Sequence, residues 1–127
     1  MESLRELAFL QRLSLTAAQT LDADALVQLV IDETTGALDV DVCSVYLLES
    51  PGNELVLTAT NGLAQAGVGH VRLQIGEGIT GWAAQDRRPV VVPDVREERR
   101  FRWMHGVDQA RFVSMCSVPI MSADRLV

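Results

Sequence analysis

At about residue 42 the apolar residues of this chain change their period, and that change sets the fold class. From Glu2 to about Thr20, Leu4, Leu7, Leu10, Leu13 and Ala17, with Leu21 just beyond, fall close to helical spacing with no glycine or proline among them, predicting an amphipathic helix over residues 2–20. Within it Leu7, Leu10, Ser14, Ala17 and Leu21 step by three and four, the spacing of a coiled-coil seam. Two readings stand for this helix: it packs on its own domain, or it joins two copies. Asp22 or Asp24 can cap a second helix, Ala25 to Ala37, with Leu26, Leu29, Val30, Thr34 and Ala37 as its apolar face.

Beyond that point the runs are strand-like. Val42 to Leu48 and Glu54 to Thr60 flank the turn Ser50-Pro51-Gly52-Asn53 and predict an antiparallel hairpin. A short strand is expected around His70 to Leu73, a brief helix from Trp82 to Arg87 and an extended stretch at Val90 to Val92. Asp94 to Gly106 is polar, arginine-rich and aromatic, a loop with a short helical turn. Phe112 to Met121 reads as one strand with Pro119 at an edge or bulge, and Arg125 to Val127 begins another. Helices first, then strands with one short helix among them, make an α+β domain with an antiparallel sheet.

With 127 residues, 48% of them apolar, the chain can bury one core as a single domain, residues 1–127. All eleven basic residues are arginines, which excludes a pyridoxal Schiff base, a Ser-Lys dyad and a phosphate-cradling lysine. The net charge of −6 argues against nucleic acid as a partner. Cys43 and Cys116 lack metal-finger spacing and read as buried free thiols in a reducing compartment, so the expected location is the cytoplasm. No run reaches the roughly 18 apolar residues of a membrane helix, and Glu2 and Glu6 stand where a signal peptide needs basic residues.

Gly76-Glu77-Gly78-Ile79-Thr80-Gly81 matches the GxGxxG pattern, but Pro89 arrives too soon for the crossover helix of a dinucleotide fold, and Glu77 would set a carboxylate beside a pyrophosphate. Those glycines read as a tight turn before a short helix. The run from Arg96 to Trp103 reads as a solvated face with ion pairs rather than an RNA-binding patch. His70 and His105 are isolated. No metal site and no catalytic residue is expected.

The residues then resemble a known family. Val42 to Leu48, Leu73 to Ala84, Pro89 to Val95, Arg100-Phe101 and Ser114 to Ile120 follow in order the pattern of a GAF domain, a sensor module of bacterial signalling proteins such as histidine kinases, phosphatases and transcription regulators. The resemblance implies a central sheet of about five to six strands. N-terminal helices and a C-terminal helix would cover one face. Loops and short helices of residues 61–110 would close a small-ligand pocket on the other. It implies a homodimer formed through the N-terminal helix, an unknown small-molecule ligand, and neither nucleic acid nor membrane as partner. It also implies that the family's last strand and closing helix, and the effector domain, lie outside this chain.

The cofactor is unknown, since the signatures of cyclic-nucleotide and bilin binders are absent. Matching to the family suggests Ile79, Trp82, Trp103, Met104 and Met115 as apolar lining, with Arg102 or His105 as a polar anchor. Cys116 falls where the family has an aliphatic residue, which implies burial. The expected function is a non-catalytic small-molecule-sensing and dimerisation module. The alternatives are a ligand-free structural dimerisation scaffold and a thiol-dependent reductase.

Overall fold

The computed structural model of the chain describes residues 2–19, 23–49, 52–99 and 113–127. Among them α1 (Glu2–Gln19) and α2 (Ala23–Leu38) precede β1 (Cys43–Glu49), β2 (Glu54–Asn61), β3 (Arg72–Gln74), α3 (Gly78–Asp86), β4 (Val90–Val92), β5 (Met115–Ser117), β6 (Met121–Ser122) and β7 (Arg125–Leu126). Single 3-10 turns occupy Gln65–Gly67 and Val95–Glu97. This is the α+β class with antiparallel sheets that the period change predicts.

The strands form three ladders among the described residues: β1-β2-β3, β4-β5 and β6-β7. The largest has three strands, fewer than the resemblance implies. Several boundaries differ from expectation: α2 begins at Ala23, so Asp24 lies within its first turn rather than capping it. The strand expected over Phe112 to Met121 is divided within its described part, because Pro119 has no N–H to continue a ladder between β5 and β6. Helix α3 starts four residues earlier than predicted, because the Glu77 carbonyl already accepts the Gly81 N–H at 3.0 Å.

Contacts divide the chain into two units, Met1–Val45 with Thr58–Leu63, and Tyr46–Leu57 with Ala64–Val127. In the first, α1 packs on α2 and Arg12 pairs with Glu33 at 3.0 Å. Phe9 and Leu13 are half-buried, whereas Leu7 and Leu10 of the predicted seam remain 61% and 56% exposed. The deepest residue of α2 is Ile31, at 0% exposure, which the predicted apolar face omits; Ala37, included in that face, is exposed. Thr60 is also buried, its hydroxyl 2.7 Å from that of Ser44.

The second unit holds two apolar clusters. One gathers Leu55, Leu73 and Ala84, with Tyr46, Leu48, Ile75 and Leu126 around them. β2 is antiparallel to β3, with Leu55 opposite Leu73. Burial pushes the Tyr46 hydroxyl up to about 12. A raised folded-state value favours folding at pH below the free value of about 10, and that contribution is lost as pH climbs through about 12. Because this is the chain's single tyrosine, phenolate absorbance reads it directly. We expect the folded domain to ionise with a midpoint near 12 and the urea-unfolded chain near 10. Coincident curves would show that Tyr46 is not shielded.

Candidate functional site

The second cluster brings together sequence-predicted site residues. Ile79, at 2% exposure, and Ala83 descend from α3 and meet Val90, Val92 and Val95, with Met115 of β5 packed against them. Their convergence follows from two periods. On α3, Ile79 and Ala83 stand four residues apart and share a face. On β4, Val90 and Val92 turn inward while Val91 stands 71% exposed.

Register extends the alternation to β5. Val92 lies opposite Met115 and Val91 opposite Cys116, so Met115 joins the cluster and Cys116 faces outward. The buried state expected for Cys116 is therefore corrected: the thiol is exposed, because its side of the ladder is the outer one. Cys43 is half-buried rather than enclosed. Its burial raises the thiol's pKa, and a hydrogen bond with Thr35 works in the opposite sense.

A glycine turn sets α3 in place. Gly76 and Gly78 adopt φ of +92° and +67°, and the Gly76 N–H donates to the Gly81 carbonyl at 2.8 Å. Glu77 Oε1 accepts the Gln74 N–H at 3.1 Å. The glycines of the GxGxxG match are thus used by the turn itself.

Trp82 is half-buried on α3. After β4, Asp94 caps the next turn. It accepts the Arg96 backbone N–H at 2.9 Å and the Arg96 guanidinium at 2.9 and 2.8 Å. These bonds hold the Asp94 carboxyl below the usual carboxylate range and raise the pKa of Arg96. Arg96, the first residue of the arginine-rich run, thus pairs with Asp94 just before it.

The Val95 N–H donates to the Val113 carbonyl at 2.7 Å, which joins the turn after β4 to the residues leading into β5. Arg102, Trp103, Met104 and His105 lie outside the described residues. The structure thus brings Ile79 and Met115 into one cluster and places Trp82 on the same helix as Ile79. Val90, Val92 and Val95 were not singled out as site residues by the sequence reading, although for Val90 and Val92 the alternation about Val91 in Pro89-Val90-Val91-Val92-Pro93 carries the signal. Among the described residues no group of three His, Cys, Asp or Glu could hold a metal ion. No helix described is long and apolar enough to cross a membrane.

Comparison with known proteins gives the class first. The chain is 32% identical over 90 residues to a phosphoenolpyruvate-dependent phosphotransferase system protein of Escherichia coli, covering 71% of this chain and 12% of that protein. It is 30% identical over 126 residues to a Nif-specific regulatory protein of Azospirillum lipoferum, covering 96% of this chain and 20% of that protein. The crystal structure of the GAF domain from an Acinetobacter phosphoenolpyruvate-protein phosphotransferase is 28% identical with a TM-score of 0.82, covering 94% of this chain and 70% of that one. Fold and relatives together define a signalling sensor domain. Residues 22–127 match the family model of the GAF domain, and the chain belongs to that family. It spans a fifth or less of the length of the curated relatives named here.

Proposed function

We propose that the chain is a non-catalytic small-molecule-sensing and dimerisation module of a cytoplasmic bacterial signal-transduction protein. Membership of the GAF family carries this reading, supported by relatives in which the matching stretch is a small part of a longer protein. The ligand would rest on the α3-β4-β5 cluster, with Ile79 as floor and Trp82 and Met115, both partly exposed, as lining. Trp103 and Met104 would add further lining and Arg102 or His105 the polar anchor, on the strength of the family resemblance alone. A ligand bound more tightly in one of two states would shift the population toward it, and the effector would read that shift.

Dimerisation would use α1. Leu4, Leu7, Leu10 and Leu15 are all more than half exposed, whereas Phe9 and Leu13 are the half-covered residues among those of α1 whose burial is described. Exposed leucines in such number on one helix mark an association surface.

Native mass spectrometry of the chain purified from its own host reads both claims in one spectrum. The expected result is a dimer carrying a small-molecule mass. The Leu7→Arg/Leu10→Arg variant should be monomeric and equally folded, and Trp82→Ala should lose the added mass and keep the dimer. A bare dimer would leave the scaffold reading in its place. A bare monomer would overturn both.

A further inference from the structure

The bend that ends β2 joins a reactive sequence to a structural contact. The chain has two asparagines, Asn53 before Glu54 and Asn61 before Gly62. Gly62 holds φ at +106°, and a Cβ there would lie 2.4 Å from the Asp41 carbonyl oxygen and 2.7 Å from Val42 Cγ2. Glycine is thus required after Asn61, and glycine is the residue that shields its own amide nitrogen least.

The Asn61 side chain in turn ties strand to helix. Its Nδ2 donates to Asp32 Oδ1 at 3.0 Å and to Thr35 Oγ1 at 3.1 Å, both on α2. Asp32 Oδ1 also accepts from Gln28 Nε2 at 3.0 Å, and the Thr35 hydroxyl donates to the Ile31 carbonyl, so the acceptors are already held in place along α2.

We infer that Asn61 is a self-modification site, a spontaneous amide-to-acid switch whose conversion releases the end of β2 from α2. The Gly62 backbone nitrogen forms a bond to Asn61 Cγ, and the Cγ–Nδ2 bond breaks. The proton from the Gly62 amide leaves with the nitrogen as ammonia, and a five-membered imide remains. Water then opens that ring, giving aspartate when the bond to Gly62 nitrogen at Cγ breaks and isoaspartate when the original peptide bond breaks. No oxidant or partner enzyme is needed.

Either product removes both N–H donors. It also sets a carboxylate where the amide stood, beside the Asp32 carboxylate that it formerly satisfied. Two carboxylates at that spacing repel. Isoaspartate adds a methylene to the main chain at the same point.

Incubating the intact chain in mildly alkaline buffer and mapping its peptides by mass spectrometry tests the chemistry, with Asn53 as internal reference. Conversion is expected many-fold faster at Asn61 than at Asn53, with isoaspartate among the products. Equal rates at the two asparagines would overturn the site. The release is tested by melting temperature. Asn61→Ala loses the donors alone, whereas Asn61→Asp loses them and adds the opposing charge, so Asn61→Asp should melt clearly lower. If it melts at or above Asn61→Ala, the released contact is not the consequence of the new charge.

Discussion

Replacing Gly81 by alanine is expected to destabilise the domain by about 2–3 kcal/mol. A Cβ at this position would lie 2.7 Å from the Gln74 carbonyl oxygen, 3.1 Å from the Gly76 nitrogen and 3.2 Å from the Gly76 carbonyl carbon. All three are backbone atoms, so no rotamer change can relieve the crowding. Either the end of β3 or the start of α3 must move, and with it the bond from the Gly76 N–H to the Gly81 carbonyl. Helix α3 carries Ile79 and Ala83 into the cluster, so movement at its first turn reaches the candidate site. Gly36→Ala is the control. That glycine also lies in a helix, but a Cβ added there would meet nothing within 4 Å, so alanine should gain roughly 0.5–1 kcal/mol from helix propensity. Urea denaturation of the two variants should therefore move in opposite directions. A Gly81→Ala midpoint matching the parent would show that the turn is not closed on itself.

The parts of this fold that were legible in the sequence are those governed by local period and turn chemistry. Helices α1 and α2 and the β1-β2 pair follow directly from helical and strand spacing, and the glycines before α3 mark a turn by their need for positive φ. Misjudged features depend on which side of an element is covered. The apolar spacing of α2 suggested a face that includes Ala37 and omits Ile31, whereas Ala37 is exposed and Ile31 is fully buried. Cys116 sits in an apolar run that suggests burial, but pairing with Val91 turns it outward. One residue of register separates that exposed thiol from Met115 in the cluster. Of the α3-β4-β5 cluster, Ile79 and Met115 were singled out through family resemblance rather than chemistry, because apolar residues leave no spacing signature. The inward valines of β4 were legible by alternation but carry no chemical group that would single them out.

Ile31→Ala is expected to cost about 2–4 kcal/mol, the loss of a fully buried branched side chain plus the cavity it leaves. Among the described residues Ile31, Leu57 and Thr60 are the largest side chains with essentially no solvent exposure, and Ile31 belongs to a helix whose other apolar residues are at most half-buried. The helix therefore depends on this one position for most of its full burial. Ile31→Val, which removes a single methylene, should cost only about 0.5–1.5 kcal/mol. Leu7→Ala, on the exposed stripe of α1, should change monomer stability by less than about 0.5 kcal/mol. Against a total stability of about 5–15 kcal/mol, the first loss is large enough to lower the melting temperature by many degrees. The contrast separates a fully buried isoleucine, which holds α2 in its unit, from leucines of α1 that stand exposed. Denaturant unfolding at low protein concentration reads the first without the second. A Leu7→Ala variant as damaged as Ile31→Ala would mean that the α1 stripe serves the domain's own core, and the proposed association through α1 would fall with it.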